Sequence, residues 1–465
     1  MLFRRVLSTQ LKRLKSSAVS ANTVLDYQDI PSPKGLPLVG TTLDLIAEGS
    51  TQQLHRYIDK RHKQLGPIFR EKLGVLESVF VADPEVMRDV FDQEGKYPSH
   101  LVPDAWLKYN EMYGCPRGIF FMDGPDWWHY RRILNTLLLK GDTRWIYDAC
   151  EIVNENFVRE IEKTGSECYE DLKGRLYKWS ADIIVSVLLG AETYKKHHRD
   201  LDTEVTSLAK IVHLIFQTTA DLSVIPVSLA SKLKIPRWNR FVDAVHNALR
   251  DANSLVTTLK TLNAQDGLLP KLMNEKIEFE MIKRIIVDLI LAAGDTTAVS
   301  FEWMLYLTAK HPHVQEKLRV NPTMAKFVMR EGARMYPTAT FLTRILPADG
   351  VVAGYGVPKG TPVLLSLYTT GRDERYFPDA DSFKPERWDR RESMYDIKMQ
   401  RASLPFAMGL RSCVGKRIAE IQLQTTLLKF VKNFDIELCN KNNIDIVMKM
   451  VVHPSEPLLL KFKKL

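Results

Sequence analysis

The sequence predicts a mainly α-helical protein with a small β-sheet region, and three observations carry that expectation. Long segments between residues 128 and 337 place apolar residues at helical spacing with few glycines or prolines. Proline and glycine return at 337–360, beside short runs of β-branched residues. No internal repeat, low-complexity tract or linker divides the 465 residues, so one undivided body fits better than the three domains that length alone allows.

In chain order, 31–37 is a stiff, extended proline-rich stretch. A helix is predicted over 52–65 and ends at Gly66-Pro67. Alternating runs at 68–73 and 78–81 around Gly74 predict a hairpin, followed by a helix over 84–92. Residues 95–124 are rich in Pro, Gly, Tyr and Trp, and read as a long loop with short helical turns. Helices are predicted over 128–139, 146–163, 177–189, 201–220, 237–262 and 278–310. Strand-like runs follow at 351–352 and 361–365, then a helix after Cys413 and a strand at 458–461. The run 354–360 is rich in glycine, but Pro358 and Pro362 forbid the helix a nucleotide loop requires.

Charged residues at 26% and hydrophobic ones at 45% exclude a disordered chain. Five widely spaced cysteines with no C-x-x-C pair argue against a disulfide scaffold and a zinc knuckle, and favour a reducing compartment. Before Asp26 there is no acid, while Arg4, Arg5, Lys12, Arg13 and Lys15 are basic and Leu2, Phe3, Val6, Leu7, Leu11 and Leu14 share a helical face. That combination is the signature of a mitochondrial transit peptide, expected over 1–25, with one domain over 26–465. Removing those five charges lowers the formal charge from +9 to +4, and no nucleic-acid partner is expected. No stretch of about 20 apolar residues is present, so no transmembrane helix is expected.

The chemistry centres on 405–415, where Phe406, Gly409, Arg411, Cys413 and Gly415 surround one thiol at the mouth of a helix. A thiolate is a soft, strong metal ligand. Glycines permit tight turns and let a bulky flat ligand approach the backbone. Alone, such a cysteine is more often an inert buried thiol. Four other patterns accompany it: Trp127 with Arg131, Asp295 beside Thr296 after Ala292-Ala293-Gly294, Glu331 with Arg334, and Pro385-Glu386-Arg387-Trp388. Trp127 and Arg131 share a helix face and could hold a carboxylate, but Trp128 and Arg132 have the same spacing. An acid beside a hydroxyl can relay protons, although a helical threonine more often bonds back to a carbonyl.

In order and spacing, these five patterns resemble the cytochrome P-450 family of haem-thiolate monooxygenases, from about residue 31 to 462. The loop fits F-x-x-G-x-R-x-C-x-G at every fixed position; the second residue of the central-helix motif departs, with Ala293 for the usual glycine. The resemblance implies the P-450 fold, with haem b between the long central helix and the cysteine loop. It implies Cys413 as the axial thiolate ligand, Arg411, Trp127 and Arg131 on the haem carboxylates, and Phe406 and Gly415 shaping the loop. It implies Asp295 and Thr296 as the catalytic proton relay that oxygen (O2) activation needs, a pair that haem-thiolate isomerases often lack. Glu331, Arg334 and Arg387 would form a buried structural network behind the loop.

Basic Lys326, Arg330, Lys416 and Arg417, with the N-terminus, point to the mitochondrial branch of the family. That branch implies electrons from NADPH through ferredoxin reductase and a [2Fe-2S] ferredoxin, which this patch would dock. Localisation is then mitochondrial, on the matrix side of the inner membrane, with peripheral membrane contact. Segments 34–40, 101–106, 118–122 and 281–289 are similar to the ecdysteroid 2-hydroxylases of arthropods, which implies 2-hydroxylation of 2-deoxyecdysone, an apolar steroid. A mitochondrial hydroxylase of another sterol or a xenobiotic, and a non-catalytic haem-binding protein, are the competing readings.

Overall fold

The computed structural model describes residues 24–74, 76–115, 118–163, 168–169, 171–223 and 225–465. Most of the expected leader therefore lies outside the described residues. The helices that position the site are α1 (Leu54–Leu65), α2 (Pro84–Asp92), α3 (Asp104–Tyr113), α4 (Gly124–Leu134), α5 (Arg144–Lys163), α6 (Leu172–Leu189), α7 (Asp202–Leu222), α8 (Pro236–Thr261), α9 (Phe279–Lys310), α10 (Met324–Met335) and α11 (Lys416–Asn433). The strands are β1 (Ile68–Leu73), β2 (Leu76–Val81), β3 (Cys168–Tyr169), β4 (Phe341–Ile345), β5 (Gly350–Val352), β6 (Tyr355–Val357), β7 (Pro362–Ser366), β8 (Phe434–Leu438), β9 (Ile446–Lys449), β10 (Val451–Pro454) and β11 (Leu460–Lys464).

Local chemistry sets several ends. Asp83 accepts from the Glu85 and Val86 amides and Pro84 opens α2, a helix start with its free donors satisfied. Gly66 closes α1 at φ +104°, a conformation that L side chains rarely adopt. The α4 helix begins at Gly124, earlier than periodicity indicates, because Pro125 suits a first turn; beyond Leu134 it loosens into a π-helical stretch over Asn135–Leu139. The 95–124 loop carries a fuller helix, α3, than the short turns expected.

The hairpin of β1 and β2 is as predicted, and it sits in a four-stranded sheet ordered β1-β2-β7-β4. The β2–β7 pair is parallel, so chain segments almost 300 residues apart meet there. A second sheet, β3-β11-β8, draws together residues from the middle and the end of the chain. Cys168 on β3 and Cys439 just past β8 flank β11 from its two sides, and the two form a disulfide across 271 residues. The sequence reading favoured no bridge; pairing here is set by strand neighbours, which spacing does not reveal. Cys115, Cys150 and Cys413 remain thiols.

The largest core cluster runs from Ile119 to Phe462 and centres on α9, which packs against α6, α7, α8, α10 and α11. At 32 residues α9 spans about 48 Å. Trp179, Phe301 and Phe430 pack ring to ring where α6, α9 and α11 meet. A fully buried aromatic of that size contributes on the order of 3 kcal/mol or more.

Candidate active site

The Cys413 loop closes on itself before α11. The Cys413 amide donates to the Phe406 carbonyl at 2.9 Å, while Ala407 (φ +57°) and Gly409 (φ +78°) turn the backbone. A Cβ on Gly409 would lie 2.4 Å from a Glu94 carboxylate oxygen, so that position has no room for a side chain. Cys413 is a solvent-accessible thiol set among protein atoms dense enough that burial pushes its pKa up. The Gly415 amide, Arg131 and Lys416 oppose that shift by favouring the thiolate.

The structure separates the two Trp/Arg pairs. Trp127 and Arg131 are buried; Trp128 is half-buried and Arg132 exposed. Arg131 donates through Nη2 to the Ser412 carbonyl in the cysteine loop, and burial brings its pKa down to about 10, against the pull of Cys413. Its Nε is buried with no hydrogen-bond acceptor. Arg411 lies 4.3 Å over the Trp127 ring and donates to the Met122 carbonyl at 2.6 Å and to Asp123 at 2.7 Å, besides Pro98. It is thus engaged with protein acceptors and ties the loop to 98–123.

Glu331, Arg334 and Arg387 form the expected network, all three fully buried. Glu331 accepts from Arg334 Nε (3.0 Å) and Nη2 (2.8 Å) and from Arg387 Nε (2.9 Å). Trp388 Nε1 at 2.9 Å and the Lys384 amide at 3.1 Å complete its shell. Arg334 also donates to the Gly371 and Ala380 carbonyls, so every charge has partners.

A second buried pair was not foreseen. Glu94, just past α2, accepts from Arg344 of β4 at 2.6 Å and from the Leu410 amide at 2.6 Å, while Arg344 donates to the Met408 carbonyl at 3.2 Å. This pair grips the loop directly. No motif signalled it, because the partners lie 250 residues apart.

Asp295 and Thr296 diverge, as neighbours on a helix must. Thr296 is partly exposed, beside exposed Ala292, and its hydroxyl donates to the Ala292 carbonyl at 2.8 Å. The Asp295 side chain is fully buried and meets His213 Nδ1 of α7 at 3.1 Å. His453 of β10 stands 3.6 Å from its other oxygen. Burial pushes the Asp295 pKa upward, but the two imidazoles outweigh it and hold the carboxyl at about 2. Helical periodicity turns Asp295 about 100° from Thr296, so their divergence was legible, but His213 and His453 carried no local signal.

Of the basic residues, Lys326 and Lys416 are exposed. Arg330 lies over Trp388, Lys416 over Phe406, and Arg417 donates to the Gly141 carbonyl at 3.0 Å. They stand on α10 and at the start of α11, two helices that pack together.

A flat iron porphyrin fits this donor set: an accessible thiol in a protein-lined recess, a glycine-turned loop, and a buried guanidinium donor without an acceptor. A family model described as Cytochrome P450 matches residues 30–462. The chain is 37% identical to "Cytochrome P450 315a1, mitochondrial" of Drosophila melanogaster, over 97% of this chain and 92% of that one. It is 29% identical to "Cholesterol side-chain cleavage enzyme, mitochondrial" of Oncorhynchus mykiss, over 98% and 94%. Among solved structures, "Retinoic acid bound cyanobacterial CYP120A1" superposes with a TM-score of 0.73 at 19% identity, over 94% of this chain and 99% of that one, a likeness of fold. A fold, a thiol loop and a match across nearly the whole chain agree, and the chain belongs to the cytochrome P-450 family of haem-thiolate monooxygenases.

Proposed function

We propose that the chain is a mitochondrial steroid hydroxylase that inserts one oxygen atom of O2 into a C–H bond, and that its reaction is 2-hydroxylation of 2-deoxyecdysone to ecdysone in ecdysteroid biosynthesis. The observation that carries the reading is the near full-length similarity to "Cytochrome P450 315a1, mitochondrial". Relatives named for cholesterol side-chain cleavage support a steroid substrate class and keep another sterol reaction as the second reading.

When bound through Cys413, haem supplies oxygen activation and hydrogen abstraction. The chain's own residues do the rest. Cys413 offers the ligand, and the Gly415 amide and Arg131 restrain its charge. Arg131 offers its free Nε to a haem carboxylate, with Trp127 and Arg411 beside it. The Glu94–Arg344 and Glu331–Arg334–Arg387 pairs keep the loop in place. Thr296 presents a hydroxyl on the partly exposed strip of α9 that carries Ala292. Asp295 would carry a proton from His213, which is partly exposed, toward Thr296 by turning its side chain.

Lys326, Arg330, Lys416 and Arg417 are read as the docking patch for an acidic [2Fe-2S] ferredoxin, itself reduced by NADPH through ferredoxin reductase. Residues 1–25 are read as the transit peptide and 26–465 as the single monooxygenase domain, on the matrix side of the inner membrane. No described helix is long and apolar enough to cross a membrane. Exposed Leu36, Leu38, Leu43, Ile46, Leu229 and Leu233 support peripheral contact. The test is turnover of a 2-deoxyecdysteroid panel with ferredoxin, its reductase and NADPH. A product with a new hydroxyl at carbon 2 is expected; absence of any product from the panel, with turnover of cholesterol instead, would favour the second reading.

A further inference from the structure

His213, Asp295 and His453 come from three separate elements, α7, α9 and β10, and converge on one buried point. Gly294 makes the approach possible: a Cβ there would lie 3.0 Å from Val212 Cγ1, so α7 rides close against α9. Trp303 Nε1, bonded to the Val452 carbonyl at 3.1 Å, fixes β10 beside the same helix. One ligand atom from each of the three residues lies within 4.8 Å of the others. The Asp295 and His453 side chains are 0% and 2% exposed, and His213 is 22% exposed.

Asp295 Oδ2, both ring nitrogens of His453 and the Tyr177 hydroxyl are buried and lack a partner at good hydrogen-bond geometry, although His453 and the Tyr177 hydroxyl both face the Asp295 carboxylate. A native protein leaves few such atoms without a partner. The 3.6 Å between His453 Nε2 and Asp295 Oδ2 exceeds a hydrogen bond. It is also too short for a bridging water, which would hold its two neighbours about 4.5 Å apart. A tetrahedral metal ion with bonds of about 2.0–2.2 Å sets neighbouring ligand atoms about 3.3–3.6 Å apart. His213 Nδ1 lies 3.1 Å from Asp295 Oδ1 and His453 Nε2 lies 3.6 Å from Asp295 Oδ2, near that spacing but on the two different oxygens; a small rotation of the carboxylate brings one atom of each residue, already within 4.8 Å of one another, onto one ion. Two imidazoles and a carboxylate are ligands suited to zinc. The surrounding charge is mixed: Lys173 disfavours a cation, while buried Glu302 favours one.

We propose that His213, Asp295 and His453 form a binding site for a divalent transition-metal ion of the zinc class, with water or the Tyr177 hydroxyl as fourth ligand. A bound ion would also hold the Asp295 carboxylate away from Thr296 and restrain turnover. That second half rests on the proton-delivery reading above; the site itself does not.

The test uses the full-length, haem-loaded protein with zinc chloride, read by equilibrium dialysis with metal analysis and by zinc K-edge X-ray absorption, which iron does not obscure. One zinc per chain is expected, with N/O ligands at about 2.0–2.1 Å and imidazole scattering. Binding should weaken at least tenfold in His213→Gln and in His453→Gln. His213 is partly exposed, so His213→Gln decides the matter if the other variant fails to fold, with the reduced-CO spectrum as the fold check. No stoichiometric zinc, or equal zinc retention by His213→Gln, overturns the site. Zinc should lower product formed per electron in the wild type in proportion to its occupancy; His213→Gln, which also removes a group of the proton path, is read for zinc binding alone. An unchanged ratio at full occupancy overturns the restraint alone. Asp295→Asn without zinc tests proton delivery separately.

Discussion

Glu94 and Arg344 form a buried ion pair, 2.6 Å between Nε and Oε2, that holds the Cys413 loop from both sides of its turn. One partner reaches the Leu410 amide and the other the Met408 carbonyl. The loop's shape therefore depends on a contact between the end of α2 and strand β4. Removing one member leaves the other charged and buried, which costs about 3–5 kcal/mol. Glu94→Ala is expected to yield folded protein with weakened haem retention, measured as haem per chain after purification. Full haem occupancy with unchanged thermal stability would count against the brace.

The Glu331 network makes a parallel prediction at a greater distance from the thiol. Glu331 accepts five hydrogen bonds, two of them from Arg334. Glu331→Gln keeps the shape and removes the charge facing two guanidinium groups. A loss on the order of 3 kcal/mol is expected, seen as a lower midpoint in urea and as protein without haem. Arg387→Lys, which loses the forked geometry, should lie between that variant and wild type.

Asp295 and Thr296 should separate chemistry from folding. Thr296→Val is expected to leave substrate binding intact while product per electron falls and peroxide rises. Asp295→Asn should lower turnover by about 10²-fold, the low end of general acid–base effects. Peroxide and product are measured against NADPH consumed. Unchanged coupling in both variants would remove the relay.

Burial pushes the Asp288 carboxyl up to about 7, with the Phe120 amide, 2.7 Å away, opposing. A carboxyl whose folded pKa exceeds its unfolded value near 3.9 stabilises most at low pH. Its contribution is complete below the unfolded pKa and is lost as pH rises from about 4 to about 7. At most about 4 kcal/mol is involved, from a shift near three units. Asp288→Asn should flatten the dependence of urea stability on pH across that window, while keeping an acceptor for Phe120. An unaltered slope would place the pH dependence elsewhere; Glu302, also raised to about 7 by burial, is the alternative source.

The helical body was legible because apolar spacing repeats over 20 or more residues in α5, α7, α8 and α9. The thiol loop was legible because it packs its chemistry into a few consecutive residues, and Glu331 with Arg334 because they are three apart on one helix; Arg387, 56 residues on, joined them only through the family resemblance. Trp127 and Trp128 show the limit: spacing left two equivalent pairs, and only the packing of α4 buries one of them. Glu94, Arg344, His213 and His453 were illegible for a related reason. Each acts on a partner more than 80 residues away, so its role exists only once the sheet and the helices have met. The Cys168–Cys439 bridge belongs with them.

The central claim is that Cys413 is the thiolate ligand of a haem. It is tested most directly by the reduced, CO-bound absorption spectrum of the purified protein beside that of Cys413→His. The wild type should show the red-shifted band of a thiolate-ligated haem, and Cys413→His should lose it while haem remains measurable. A wild type without that band, or a band that survives in Cys413→His, would contradict the account.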